Sequence, residues 1–197
     1  VTPRLVATTA AALALAAATA RAHPHIWIDA DAELRFADGR LVAIEQRWVF
    51  DEVFSDFILQ EHDRDGDGRF DAEETEAVRR EAFESLAELG WLTHLRLGEE
   101  RIALPEARAF SVTAADGLVA YRFTLPLPEP ADPSGGPVVL SLYDETYYID
   151  ILLADERAVR LAGAPDACRW TLFEDAANPI YFGMIHPQAV DVSCGAS

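Results

Sequence analysis

Residues 26–37 read Ile-Trp-Ile-Asp-Ala-Asp-Ala-Glu-Leu-Arg-Phe-Ala, followed by Asp38-Gly39 and then residues 40–50, Arg-Leu-Val-Ala-Ile-Glu-Gln-Arg-Trp-Val-Phe. Ile26, Ile28, Ala30, Ala32, Leu34 and Phe36 alternate with Trp27, Asp29, Asp31, Glu33 and Arg35. A period of two over this length is a strand with one face buried. Asp-Gly is the strongest short hairpin signal, so Leu41 to Phe50 returns as a second strand. A two-residue turn pairs Ala37 with Arg40. It then sets Asp29 opposite Trp48 and His25 opposite Glu52, a register that one bulge would shift.

Working outward, the pattern changes after Phe50. Phe54, Phe57 and Ile58 make an apolar stripe on a helix over 52–62. Ala77, Val78, Phe83, Leu86 and Leu89 recur at helical spacing over 72–89, with Gly90 as the stop. Strands are expected again over 91–97, 101–104, 107–114, 118–125, 138–143, 147–154 and 158–161, with short ones at 170–173 and 189–193. Residues 126–137 hold five prolines and two glycines, which reads as a loop. The expected fold class is α+β: a single, mostly antiparallel β domain over 23–197 with a two-helix insertion at about 52–90.

The chain has 197 residues, half of them apolar, enough for one core. Its 16 basic residues are all arginine and stand against 34 acidic ones, for a net charge of −18. That balance excludes nucleic acid and anionic membrane surfaces as partners and suits cations. Residues 1–22 differ from the rest. They carry Arg4, then no charge from Leu5 to Ala20, and end Ala20-Arg21-Ala22. This is the pattern of a secretory signal peptide cleaved after Ala22. The uncharged run is shorter than the roughly 18 residues of a spanning helix. The mature chain would then begin at His23 and be exported, to a bacterial periplasm. No later segment is apolar and long enough to span a bilayer. Cys168 and Cys194 are the only cysteines, and in an oxidising compartment they are expected to form a disulfide, worth about 3 kcal/mol in the chain-entropy model.

Residues 63–74 read Asp-Arg-Asp-Gly-Asp-Gly-Arg-Phe-Asp-Ala-Glu-Glu. Against the twelve-residue calcium loop, Asp63, Asp65 and Asp67 fall at positions 1, 3 and 5, and Gly68 at position 6, where the chain turns sharply. Arg69 offers its carbonyl at position 7, Asp71 ligates at 9 and Glu74 is bidentate at 12. Helices on both sides would make the insertion EF-hand-like. The competing reading is a solvated acidic loop capping the helix that starts near Ala72. Acid density alone does not place the glycine and the final glutamate.

Five histidines are present: His23, His25, His62, His94 and His186. His23-Pro24-His25 would open the mature chain, and residues two apart on an extended segment project to one side. With the freed α-amine of His23 they form a candidate site for Zn²⁺ or another divalent transition metal, since imidazole is the commonest metal ligand. His94 is the candidate third ligand, and Glu52, Asp29 and Asp144 are carboxylate candidates. His62 is expected to pack beside the acidic loop and His186 to lie on the surface. Tyr143 to Asp150 is a dense polar and aromatic cluster. It is either a strand–turn–strand or a set of groups orienting metal-bound histidine. Nucleophile-elbow, P-loop, dinucleotide and His-Glu-x-x-His patterns are missing, so no enzyme activity is expected.

These motifs together resemble a family of periplasmic proteins with a domain of unknown function. Such proteins are often described as the periplasmic component of an ABC-type transporter, and they include ZevA-type zinc-uptake accessory proteins. The resemblance rests on His23-Pro-His-Ile-Trp-Ile-Asp29, Arg47-Trp-Val-Phe-Asp-Glu52 with Phe54-Ser55, and Asp63 to Glu74. It rests also on Trp91-Leu-Thr-His-Leu95 and on Tyr143 to Asp150. It implies a periplasmic accessory in uptake of zinc, or of nickel or cobalt, through an inner-membrane permease, with a structural calcium loop. A copper histidine-brace redox protein and a calcium-dependent structural adaptor are the alternatives.

Overall fold

The computed structural model describes residues 25–195; the expected leader at 1–22 and His23 lie outside them. At its turn the hairpin forms as expected. β1 (Ile26–Ala37) and β2 (Arg40–Phe50) are antiparallel, with Ala37 opposite Arg40. Asp38 and Gly39 take φ of 51° and 77°, the pair of positive values a tight right-twisted hairpin needs. Further along, the expected register is off by one. Phe36 faces Leu41 but Arg35 faces Ala43, so Asp29 lies opposite Val49, and Trp48 opposite Ala30. The reason is burial. Leu41 and Ile44 are three residues apart and both are fully buried, and they share a face only if Val42 is bulged out of the ladder. The backbone of His25 donates to the Tyr148 carbonyl (2.8 Å), and Glu52 opens a helix instead of facing His25.

That helix, α1 (Glu52–His62), is the main one of the described residues. Asp51 caps it, accepting from the N–H groups of Val53 and Phe54, and also accepts from Trp27 N–H. The expected second helix does not form as one element. Ala72–Val78 (α2) is α-helical, Arg79–Phe83 is a π turn, and Glu84–Leu92 is 3₁₀ with non-helical Leu89, Gly90 and Trp91. Val78 and Phe83 are both buried. They are five residues apart, and a π turn is the winding that presents both to the core; an α turn would bring Glu81 or Ala82 inward. The α+β reading with a two-helix EF-hand-like insertion is therefore corrected to a mostly β protein of two sheets and one main helix.

The remaining strands are β3 (Thr93–Leu97), β4 (Glu100–Ile102), β5 (Arg108–Ala115), β6 (Leu118–Ala131), β7 (Val138–Leu142), β8 (Ile149–Leu153), β9 (Val159–Ala162), β10 (Cys168–Glu174) and β11 (Gln188–Cys194). One sheet runs β5-β6-β2-β1-β8, with β9 also on β1; the other runs β10-β11-β7-β3-β4. All pairs are antiparallel except β1 with β8 and with β9. The expected loop at 126–137 is partly strand, because β6 continues to Ala131. Proline is tolerated at a strand edge, and the β5 ladder on β6 ends at the Arg108–Thr124 pair, leaving one edge of β6 open for Pro126, Pro128 and Pro130. Cys168 and Cys194 form the expected disulfide, directly opposite each other across β10 and β11. No helix among the described residues is long and apolar enough to cross a membrane.

The inner faces of both sheets meet in one core that includes Leu34, Ile44, Trp48 and Phe123 from the first and Leu95, Leu140 and Val190 from the second. Phe83 packs on Phe110, Phe123 and Trp91 with ring centroids 4.4–5.0 Å apart, which seats the irregular helical segment on this core. Ser55, fully buried, donates to the Phe50 carbonyl and accepts from Val119 N–H, fixing α1 to β6. A polar chain crosses the interior. The Trp48 indole N–H donates to Gln46 Oε1 (2.8 Å), Gln46 Nε2 donates to Thr93 Oγ1 (2.9 Å), and Thr93 Oγ1 donates to the Trp91 carbonyl (2.8 Å). The outer face of the first sheet is instead a lattice of exposed pairs, with Glu45 between Arg35 and Arg122, and Asp31 on Arg47.

Replacing Gln46 by Leu leaves the buried Trp48 N–H without an acceptor and is expected to cost about 1–3 kcal/mol. Glu45→Ala removes two arginine partners at the solvated face and should cost under about 1 kcal/mol. Urea denaturation of the two variants checks the contrast.

Candidate functional site

The acidic loop folds around its own carboxylates. Asp63 Oδ1 accepts from the N–H groups of Gly66 and Asp67, and Oδ2 from that of Gly68. Asp65 accepts from Asp67 N–H and Asp67 from Arg69 N–H. Gly68 has φ of 77°, the left-handed turn expected at that position. One ligand oxygen from each of Asp63, Asp65 and Asp67 lies within 4.8 Å of the others. Glu74 stands behind them, 5% exposed. Its Oε1 accepts from Arg64 N–H (2.7 Å) and its Oε2 from Asp71 N–H (2.9 Å). Asp71 caps α2 through the N–H groups of Glu73 and Glu74. Arg69 is exposed. The Asp67 N–H draws the Asp65 carboxyl down, but desolvation and the charges of Asp67, Glu74 and Asp63 outweigh it and hold Asp65 above the usual carboxylate range. An all-oxygen set of this kind suits a hard divalent cation.

The histidines are organised by a different carboxylate. Asp144 is buried in the connection from β7 to β8, which carries the chain from one sheet to the other. Its Oδ1 accepts from Thr146 N–H and Oγ1, and its Oδ2 from the N–H groups of Tyr148 and Ile149. Two of the three tyrosines on this loop each meet a histidine. The His25 ring lies 4.7 Å from that of Tyr148. The His94 ring stacks on Tyr143 at 3.7 Å and 6°. His94 Nε2 is 3.1 Å from the Tyr143 carbonyl. A carbonyl can only accept, so the neutral ring carries its proton on Nε2 and its lone pair on Nδ1. Burial pushes the His94 pKa below the ordinary histidine value. Among the described residues, neither His25 nor His94 belongs to a group of three His, Cys, Asp or Glu ligand atoms within 4.8 Å. His23 is outside those residues. Asp29 is exposed on the outer face of β1, and Glu52 is exposed at the start of α1.

His62 is buried at the end of α1, 4.0 Å from Glu81, and packs beside the acidic loop as expected. His186 is exposed, as expected. It lines a small cleft of about 220 Å³ with Tyr147 and Asp150, where burial raises Asp150 against the hydrogen bond from Tyr147. A second cleft, about 430 Å³, has His94, Arg96, Arg101, Asp175 and Asn178 on its walls. Arg96 pairs with buried Asp175 at 2.9 Å. Sequence reading missed the last four of these residues. The Arg96–Asp175 pair spans 79 residues, and nothing local marks it.

The chain is thus a two-sheet β protein with a carboxylate cluster at the end of its main helix and two histidines, His25 and His94, set against tyrosines of its intersheet loop. It belongs to the family described as protein of unknown function (DUF1007), whose model matches residues 8–182. It is also similar to a protein of Spirochaeta aurantia described as an uncharacterized 15.5 kDa protein in the trpE 3′ region. The two are 32% identical over 104 residues, 53% of this chain and 74% of that one.

Repulsion inside the loop gives one expectation. In chelator, Asp65→Asn raises the melting temperature by relieving like-charge contacts; on adding calcium, the same variant gains less than the wild type. Differential scanning fluorimetry reads both. His94 gives another. Its proton affinity is lower folded than unfolded, so acidification through the ordinary histidine range favours the unfolded chain. His94→Phe keeps a ring on Tyr143 and should flatten the loss of stability between about pH 7 and 5, measured by denaturant midpoints.

Proposed function

We propose that this protein is an exported, periplasmic metal-binding accessory whose acidic loop holds Ca²⁺ and whose amino-terminal histidines take a divalent transition metal for an inner-membrane permease. The observation that carries the calcium part is the convergence of Asp63, Asp65 and Asp67 within 4.8 Å, with the buried carboxylate of Glu74 behind them. A buried carboxylate whose hydrogen-bond partners are backbone N–H groups gains most from a neighbouring cation. In this reading Asp63, Asp65, Asp67, the Arg69 carbonyl, Asp71 and Glu74 ligate, and the ion neutralises charges that otherwise repel, so it braces the loop between α1 and α2.

Export is supported by the leader-like residues 1–22 and by the Cys168–Cys194 disulfide, which an oxidising compartment sustains. The transition-metal part rests on His23 and His25, with zinc the first choice and nickel or cobalt after it. It also rests on the resemblance to ABC-type periplasmic components and ZevA-type accessories. His94 is left out of this site, because it shares its cleft with Arg96 and Arg101, whose positive charges oppose a cation. A second reading is a calcium-dependent adaptor. It is favoured by Val53 and Phe57, 79% and 53% exposed on α1 next to the acidic loop.

Metal content by mass spectrometry of the protein exported and processed in vivo separates these. The expected result is calcium plus about one zinc or nickel per chain, the transition metal lost in a His23→Ala/His25→Ala variant and the calcium retained. Calcium alone in both proteins rejects the transition-metal role and favours the adaptor. In parallel, Glu74→Gln should abolish the calcium-induced rise in melting temperature; an unchanged rise would overturn the calcium assignment.

A further inference from the structure

The outer face of the second sheet carries an unusual juxtaposition. Arg96 on β3 and Arg101 on β4 are direct cross-strand partners, and His94 is two residues before Arg96 on the same face. Like charges directly opposite each other destabilise a sheet. Asp175, 6% exposed, neutralises Arg96. Arg101 makes no ion pair among the described residues. It lines the cleft together with Tyr143. A chain of net charge −18 thus keeps a guanidinium without an ion pair in a concave site of about 430 Å³. Alongside it sits a hydrogen-bond acceptor. His94 is locked with Nε2–H on the Tyr143 carbonyl, so Nδ1 presents a lone pair, and no hydrogen bond to it occurs among the described residues. Ala87 and Leu104 supply apolar wall. An apolar concavity with a few convergent polar groups is the common form of a small-molecule site.

We propose that this cleft binds a small organic hydroxy acid, its carboxylate paired with Arg101 and its hydroxyl donating to Nδ1 of His94. The chemistry follows from the wall. A guanidinium takes a carboxylate through two parallel N–H donors. A neutral imidazole with its other nitrogen already donating can only accept, so it selects a ligand O–H and discriminates against the same acid without one. Asp175, which also accepts from Asn178, neutralises Arg96, and the charge of Glu145 reaches His94 and Tyr143, so the site suits no more than a single negative charge. The site shares no residue with the acidic loop or with His25.

The test is calorimetric titration of the calcium-loaded, exported protein, without transition metal, so that its failure leaves the metal reading untouched. The probes are matched pairs of acids, lactate with propionate and 4-hydroxybenzoate with benzoate. The expected result is saturable 1:1 binding of at least one hydroxy acid, about tenfold or more tighter than its partner. Arg101→Gln should weaken both members about tenfold. His94→Phe, which keeps the stack on Tyr143, should abolish the preference for the hydroxyl while leaving the weaker binding. Arg40→Gln, whose arginine faces Asp132 just past the end of β6, should change nothing. Absence of saturable binding by all four acids, binding that survives Arg101→Gln, or equal affinity within both pairs would each overturn the proposal.

Discussion

Gln46 is the polar group that the two-sheet interior cannot do without. It sits on the inner face of β2, 1% exposed, and satisfies an indole N–H of its own strand while donating to a hydroxyl on the opposite sheet. Apolar burial would hold the sheets together at any angle or register that hides the same area, because that force has no direction. A hydrogen bond across a dry core has direction, and leaving either partner unmade is costly. The chain Trp48–Gln46–Thr93–Trp91 therefore selects one alignment of β2 on β3. The positions of His94, Arg96 and the cleft they line follow from that alignment.

Two buried carboxylates play related parts at the periphery. Asp144 gathers backbone N–H groups of the β7–β8 connection, and so sets Tyr143 and Tyr148 where each meets a histidine ring. Glu74 gathers N–H groups from both ends of the acidic loop, and so closes it behind the three aspartates. In each case one ionised side chain replaces regular secondary structure as the partner of free amides. Such internal hydrogen bonds restrict a loop and so reduce the conformational entropy it loses on binding. The acidic loop still carries the mutual repulsion of its carboxylates, which is the term a cation would relieve.

Much of this is legible locally. The hairpin turn, the alternation of β1, the stripe of α1, the disulfide and the glycine turn at Gly68 all depend on residues near one another or on a count of two cysteines. The misreadings have a common cause. The bulge at Val42 exists because Leu41 and Ile44 must both reach the core. The π turn exists because Val78 and Phe83 must both reach it. Period-based reading assumes regular winding, and in each place tertiary burial of two particular side chains outweighs the regular ladder. The prolines of β6 read as a loop because their tolerance depends on where the neighbouring strand β5 stops.

The sequence by itself determined the acidic loop with its order of carboxylates, the leader-like pattern of residues 1–22 and the strand-rich class. These follow from residue type and spacing over about a dozen positions, where chain connectivity alone sets which groups can meet. Only the tertiary structure decided that Arg101 has a positive neighbour across the ladder, that Asp175 neutralises that neighbour, and that His94 lines the cleft with Nε2 turned to a carbonyl. Those relations join residues 5 to 79 positions apart. They depend on strand order and register, which are set by which faces bury together and are invisible to any local pattern.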